Sequence, residues 1–230
     1  FWYLNKMSKI NIDISKLIDL NKLKNIFNIN LNIFIRTILL TFSFFWFTYL
    51  GSQIGEDYIA ANAILINLVF LSAFILDAYA FSTEGMVGYS LGKKDISLFK
   101  KIVKNSFILS TLTGLIISII YFFINKYVIA LMSDIETIRN LSSSYAVWLI
   151  LMPLISSFCY QFDGIFIGAS QTKELRNAMI FSVFSYLALS LLLTEVMGNN
   201  GIWISLCLFM ILRAFSLLYY MDKIYLRFNN

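Results

Sequence analysis

Long apolar stretches separated by short charged segments dominate the pattern along this chain. A helix needs about 20 apolar residues to cross a bilayer. Six stretches meet or approach this length: Leu31–Leu50, Tyr58–Ser82, Ser106–Ile124, Tyr145–Ile167, Ala178–Leu193 and Gly201–Tyr220. Alternating apolar and polar positions over about ten residues, which a membrane barrel needs, do not occur. The pattern therefore predicts an all-α, polytopic bundle of six transmembrane helices.

The first 30 residues follow a different pattern. Apolar positions recur there at helical spacing with Lys and Asp between them, which favours an amphipathic helix on the cytoplasmic leaflet. A partly ordered linker is the alternative. The opening letters FWYLNKM are typical of the end of a preceding apolar helix. We therefore predict a fragment with two parts, residues 1–30 as helix end plus linker and residues 31–230 as a six-helix transmembrane lobe.

Composition supports the membrane prediction. Apolar residues make up 59% of the chain and charged residues 13%, against roughly 45–50% and 25% in soluble domains. Histidine is absent, which excludes His-based nucleophilic catalysis and His–metal sites. Cys159 and Cys207 lie inside apolar stretches and are predicted to be packed thiols. We expect no metal site, no cofactor and no enzymatic role.

Charge predicts the orientation in the membrane. Fourteen of the 18 Lys and Arg residues lie before the first stretch, in every second loop or at the C-terminus, and the alternate loops hold two. The positive-inside rule then places both termini in the cytoplasm. We also predict a multi-pass protein of the cell's inner (plasma) membrane. The net charge of +5 does not predict nucleic-acid binding, because the basic residues form no aromatic-interleaved patch.

Acidic side chains inside apolar stretches are the first candidates for function, since an ionised group at mid-bilayer costs about 2.5–3.5 kcal/mol. Asp77 and Glu84 lie in the second stretch, and Asp163 lies at the end of the fourth. The spacing of seven puts Asp77 and Glu84 on one helix face, about two turns apart. All three are candidates for a cation or substrate cavity.

Ion pairing or hydration at the membrane surface is the alternative role for these acids. The candidate basic partners lie toward the predicted cytoplasmic ends of the stretches or just beyond them: Arg36, Arg213, Lys173 and Arg176. The first two are candidate partners for Glu84. The last two follow Asp163 within a few turns and are candidates for pairing with it.

Several uncharged residues complete the predicted cavity. Asn62 and Asn67 lie in the outer half of the second stretch, and Tyr160 and Gln161 shortly precede Asp163. Pro153, the only proline, is predicted to kink or hinge the fourth helix because it removes one backbone donor. A lone proline is also tolerated in membrane helices for purely structural reasons.

Three stretches carry a resemblance to a known family. LDAYAFSTEGMVGYSLGKKD (Leu76–Asp95), FDGIFIGASQTKELRNAM (Phe162–Met179) and INLNIFIRTILL (Ile29–Leu40) resemble the C-terminal lobe of multidrug and toxic-compound extrusion (MATE) transporters of the DinF-like branch. In the second stretch we expect the glycines to permit close helix packing and TKELR to form a turn.

The resemblance implies a twelve-helix fold of two lobes around a central cavity, with substrate exported in exchange for Na⁺ or H⁺. This chain would be the second lobe, and the N-terminal six-helix lobe would be its missing partner. Some members of the family carry an acid in the first helix of this lobe, whereas this sequence has Arg36 there. Asn67 occupies a position where other branches carry an acid or amide, which implies cavity lining.

The leading hypothesis is secondary active efflux of small cationic or amphipathic compounds, such as drugs and other xenobiotics. A lipid-linked precursor flippase of a related fold is the alternative. A larger basic surface within the spans would favour this hypothesis, and the spans contain only Arg36 and Arg213. A membrane aspartyl protease is disfavoured because the sequence contains no GxGD. A non-transporting membrane scaffold remains a further alternative.

Overall fold

The computed structural model describes residues 20–228, which form eight helices. In chain order they are α1 (Leu20–Ile54), α2 (Glu56–Gly92), α3 (Ile96–Met132), α4 (Glu136–Ser144), α5 (Ala146–Gly168), α6 (Thr172–Met197), α7 (Asn199–Tyr219) and α8 (Met221–Leu226). Within the described residues there is no strand. The prediction for residues 1–19 falls outside them, and residues 20–30 form the first part of α1.

Six of the helical segments are long and apolar enough to span a membrane. They are Ile26–Ile54, Glu56–Gly92, Ile96–Met132, Ala146–Gly168, Thr172–Met197 and Asn199–Leu226. The predicted all-α bundle with six transmembrane helices is therefore confirmed. The separation of the chain at residue 30 stays a prediction.

The predicted loop between the second and third apolar stretches is wrong in extent. The chain turns only at Lys93–Asp95, with Lys94 at a φ of 53°, and α3 begins at Ile96. The Asp95 carboxylate accepts a hydrogen bond from the Leu98 N–H at 2.9 Å, which caps the helix and lowers the pKa of Asp95. With 37 residues each, α2 and α3 are roughly 55 Å long and extend well beyond the bilayer core.

The predicted turn at TKELR is also displaced. Residues Thr172 to Arg176 form the first turn of α6, and the connection from α5 is the short segment 169–171. Ser170 adopts a φ of 53° in this segment. Apolar Leu175 and Ala178 are buried there, and this packing favours a helix over a loop.

The fourth span, α5, is the centre of the bundle. It packs against α2, α3 and α7, while α6 packs against α7 and α1. About 67% of its most apolar window is buried, compared with 17% for α1. A group on α5 is therefore surrounded by protein on most sides.

Two glycines bring α5 very close to α2. A Cβ added to Gly164 would meet the backbone carbonyl of Ala80, and one added to Gly168 would meet that of Glu84. Glycines four residues apart share one helix face, and this spacing is typical of close helix pairs in membranes. The crossing fixes the carboxyl-terminal half of α5, which carries Asp163, against α2.

The bundle has two distinct ends. The α2–α3 and α5–α6 connections and α8 lie at one end, which we call the basic end. Gly55, α4 and Gly198 lie at the other, which we call the opposite end. A buried cluster at the basic end contains Phe99, Phe166 and Leu217. A larger buried cluster includes Trp203, and a small third cluster contains Tyr160.

Candidate functional site: a buried charge cluster

Asp163 lies between two arginines inside the bundle. Its Oδ2 accepts a hydrogen bond from Arg213 Nη2 on α7 at 2.6 Å, and the same oxygen accepts one from Arg36 Nη2 on α1. The side chain of Arg213 is only 1% exposed, and that of Asp163 is 6% exposed. One carboxylate thus connects α1 and α7 to the central helix.

The surroundings of this ion triad are mostly apolar. The guanidinium group of Arg213 lies 5.4 Å from the centre of the Phe209 ring, and its Nη1 is 3.5 Å from Met210 Sδ. Both contacts come from the preceding turn of α7, which explains how this helix carries a buried cation. Within the described chain, Asp163 Oδ1 and Arg36 Nε have no hydrogen-bond partner. The triad therefore retains unused hydrogen-bonding capacity.

Asp77 is the second acidic residue near this ion triad. It lies near the middle of α2, is partly buried, and interacts electrostatically with Asp163, Arg36 and Arg213. In the part of the chain that the structure describes, Asp77 forms no ion pair. Asp77, Asp163 and the two arginines form what we call the charge cluster, with two positive and two negative formal charges.

Glu84 is separate from the charge cluster. It is partly exposed two turns nearer the basic end of α2, next to the close approach of Gly168. The predicted pairing of Glu84 with Arg36 or Arg213 is wrong, because both arginines bind Asp163 instead. Among the side chains that the structure describes, no cation lies within ion-pairing distance of Glu84.

The predicted pairing of Asp163 with the loop cations is wrong as well. Arg176 Nη1 donates to Asn32 Oδ1 at 2.8 Å, which connects α6 to α1. Lys173 is exposed at the start of α6. Asp163 is instead one turn inside the end of α5, where α1 and α7 supply its partners.

Gln161 and Tyr160 are both buried beside the charge cluster. The Gln161 Oε1 accepts a hydrogen bond from Thr83 Oγ1 of α2 at 2.9 Å, while its Nε2 has no partner within the described chain. Tyr160 packs with Ala73, Leu76 and Ala80 of α2. These contacts give both residues a place in the α2–α5 interface.

Asn62 and Asn67 lie toward the opposite end, away from the charge cluster. Asn62 and Asn199 exchange two amide hydrogen bonds of 2.6 and 3.0 Å, and Trp203 Nε1 donates to Asn62 Oδ1 at 2.9 Å. Asn67 is exposed and borders a small cavity of about 150 Å³ between α1 and α2. Neither amide therefore shares a site with the predicted acids.

Pro153 lies inside α5, which continues as a helix on both sides of it. The approach of α3 is close here, since a Cβ on Gly114 would lie 2.8 Å from the Pro153 carbonyl oxygen. Ser156, in the turn after the proline, donates its hydroxyl to the Met152 carbonyl at 2.7 Å. A hinge at Pro153 stays a prediction.

The fold and the charge cluster define a polytopic helical membrane protein, and the comparisons identify its family. The family model MatE matches residues 33–196. DNA damage-inducible protein F of Escherichia coli (strain K12) is 33% identical over 189 residues, which are 82% of this chain and 41% of that protein. Protein DETOXIFICATION 43 of Arabidopsis thaliana is 22% identical over 181 residues, or 79% of this chain and 34% of that protein.

Solved structures have the same fold. The chain is similar to the Vibrio cholerae MATE transporter VcmN in the bent form, with a TM-score of 0.81 and 18% identity over 96% of this chain and 49% of that one. An outward-facing multidrug resistance MATE family transporter of the MOP superfamily gives a TM-score of 0.77 and 20% identity, covering 86% of this chain and 44% of that one.

The chain belongs to the MatE family, and its predicted resemblance to the DinF-like branch is confirmed. It is accordingly a multi-pass protein of the plasma membrane. The chain spans less than half the length of each of these relatives.

Proposed function

We propose that this chain is the second six-helix lobe of a secondary active efflux transporter. The transporter exchanges an organic cation or another amphipathic compound for Na⁺ or H⁺. Membership of the MatE family and the similarity to MATE transporters support this function and favour it over an enzymatic role. The chain's coverage of less than half of its relatives supports a further proposal, that an N-terminal six-helix lobe completes the transporter.

The observation that carries the proposal is the unequal environment of the two acids in the charge cluster. Asp163 binds two guanidinium groups, so an added cation there meets two like charges at short range. Asp77 is partly exposed and has no ion pair within the described residues. Asp77 is therefore the carboxylate to which a proton or Na⁺ binds, and Asp163 holds α1 and α7 against α5.

Antiport follows from competition for Asp77. When a proton or Na⁺ neutralises this carboxylate, Arg36 and Arg213 face one acid instead of two, and a second cation is repelled. An organic cation near Asp77 has the same effect on the coupling ion. Mutually exclusive binding is a negative coupling between two ligands, and this coupling is reciprocal.

The Asp77→Asn variant tests the proposal, because it removes the charge and preserves the shape. The complete protein is reconstituted in proteoliposomes, and uptake of a fluorescent organic cation is followed under an imposed Na⁺ or proton gradient. We expect gradient-driven uptake with the unmodified protein and at least a tenfold slower rate with D77N, which corresponds to about 1.4 kcal/mol or more.

Asp57→Asn is the matched control, since Asp57 is an exposed acid of the same helix at the opposite end. D57N should transport at the unmodified rate. Unimpaired uptake by D77N at equal protein content would refute the role of Asp77. An unmodified protein that shows no exchange under either gradient would instead support a non-transporting scaffold.

A lipid-linked precursor flippase has less support. Such a protein needs positive charge within the spans to bind the phosphate groups of its substrate. Arg36 and Arg213 are the basic residues deep in the described spans, and both are already bound to Asp163.

A further inference from the structure

An apolar groove lies on the surface of the bundle between α3 and α7. Its volume is about 550 Å³, and α5 forms its floor. The lining includes Phe107 from α3, Phe158 and Phe162 from α5, and Ala214 and Phe215 from α7. Every side chain that lines the groove is apolar, which favours a hydrocarbon chain as its occupant.

The size of the groove fits one acyl chain. Its volume falls within the range of about 300–1,000 Å³ that is typical of small-molecule sites. Along the floor, the lining residues run from Leu154 to Phe162, a rise of roughly 12 Å. All three bounding helices belong to the predicted membrane spans, where hydrocarbon chains are the surrounding solvent.

Two aromatic residues, Phe107 on α3 and Phe162 on α5, line the groove on its side toward the basic end. After α7 the chain continues into α8 and packs against the start of α3, where the Phe99 ring lies 5.6 Å from that of Tyr225 and 5.1 Å from that of Phe228. Phe107 and Phe162 are 5.0 Å apart, centre to centre, within the same buried cluster.

Two lysines lie nearer the basic end than Phe107, on the groove side of α3. Lys104 and Lys100 precede Phe107 by three and seven residues, which places them on its side of the helix, about 5 and 10 Å nearer the basic end. Both are exposed, and neither forms an ion pair with any described residue. Their charges complement a phosphate group that is attached to a hydrocarbon chain in the groove.

We propose that the groove binds one acyl chain of an anionic phospholipid from the leaflet at the basic end, with the lipid phosphate held by Lys100 and Lys104. The apolar lining selects a hydrocarbon chain, and the two lysines select a negatively charged headgroup. The site is separate from the charge cluster, and the proposal does not depend on Asp77.

Photoactivatable lipids test this site in the complete protein. The protein is placed in nanodiscs with phosphatidylglycerol or phosphatidylcholine that carries a diazirine near the end of one acyl chain, and cross-linked residues are mapped by mass spectrometry. We expect cross-links concentrated at residues 154–162 and 211–218, with phosphatidylglycerol preferred. One lysine near a membrane surface contributes about 1 kcal/mol, so each lysine should account for roughly a fivefold preference.

Two sets of variants separate the headgroup from the chain. K100Q/K104Q should abolish the preference for phosphatidylglycerol and leave the phosphatidylcholine cross-links in place, while Lys126→Gln at the opposite end should change nothing. Ala214→Trp, which fills the groove, should reduce cross-linking by both lipids. Ile120→Trp on an exposed part of α3 is its control.

Three results would overturn the proposal. Cross-links spread evenly over all exposed apolar faces would indicate an ordinary lipid shell. An unchanged lipid preference in K100Q/K104Q would remove the role of the lysines, and this surface variant remains informative if A214W does not fold. Groove residues that cross-link to no lipid in the unmodified protein would indicate that another protein segment fills the groove.

Discussion

At the scale of single residues, Asp163 is the shared counter-charge of two arginines inside the bundle. Its carboxylate compensates Arg213, which is almost completely buried, and Arg36, which is 16% exposed. A buried ion pair need not stabilise a fold relative to apolar packing, but removing one partner leaves an uncompensated charge. The triad therefore makes the position of α1 and α7 on α5 dependent on one side chain.

We expect Asp163→Asn to lower the free energy of unfolding by about 3–5 kcal/mol, because Arg213 then stays buried without a counter-charge. Unfolding in mixed micelles of mild and denaturing detergent would measure the loss. Exposed Asp134→Asn is the control and should change stability little.

A second substitution distinguishes the ion triad from a general packing effect. Asp163→Asn combined with Arg213→Met removes both members of the buried pair, and Arg36, being partly exposed, can extend toward the basic end. This double variant should recover most of the stability that D163N loses. If it is no more stable than D163N, the loss comes from packing around Asp163 and not from the unpaired arginine.

The sequence predicts which residues belong to this triad, but it does not predict which of them pair. Apolar context identifies Asp163, Arg36 and Arg213 as unusual, since each interrupts a membrane span. Which acid meets which arginine depends on how α1, α5 and α7 are placed around each other. Distance along the chain favoured Arg176 for Asp163, whereas the bundle brings together residues 127 and 50 positions away.

At the scale of helices, the crossing of α2 and α5 depends on the absence of a side chain at two positions. Gly164→Ala places a Cβ against the Ala80 carbonyl, and the helices have to separate to accept it. Overpacking of this kind costs about 1–3 kcal/mol. We expect a loss of this size in the free energy of unfolding of the variant, measured in the same mixed micelles.

Gly85 provides the matched control on α2. It is exposed, and a Cβ added to it has no neighbour within 4 Å. Because alanine is the better helix former, Gly85→Ala should leave stability unchanged or raise it by up to about 1 kcal/mol. If both alanine variants are equally stable, the close approach at Gly164 does not limit the packing of α2 on α5.

Hydropathy predicted the six spans well because lipid exposure requires a continuous apolar stretch. It placed the ends of α3 poorly, since Lys100, Lys101 and Lys104 look like loop residues in a hydropathy window. These residues form helix nevertheless, because the Asp95 cap starts the helix early and Phe99 and Ile102 are buried on its other face. The short helix α4 is polar, so no apolar stretch in the sequence predicts it.

At the scale of the whole molecule, the distribution of charge predicts how the bundle lies in the bilayer. The basic end carries Lys93, Lys100, Lys101, Lys104 and Lys173, while the described part of the opposite end carries Lys126 and Arg139 together with several acids. The long helices α2 and α3 extend past the bilayer core, and their lysines lie at this basic end. The asymmetry favours a cytoplasmic basic end and an exterior opposite end.

Cysteine labelling tests this orientation. Exposed Lys101 and Lys126 lie at the two ends of α3, and the native Cys159 and Cys207 are buried and should react little. In intact cells we expect a membrane-impermeant maleimide to label Lys126→Cys, and to label Lys101→Cys only after the membrane is permeabilised. The reverse pattern would invert the bundle, and labelling of both from one side would mean that α3 does not cross the membrane. Because adjacent spans alternate in direction, a measured orientation for α3 fixes the sidedness of the charge cluster and of the lipid groove as well.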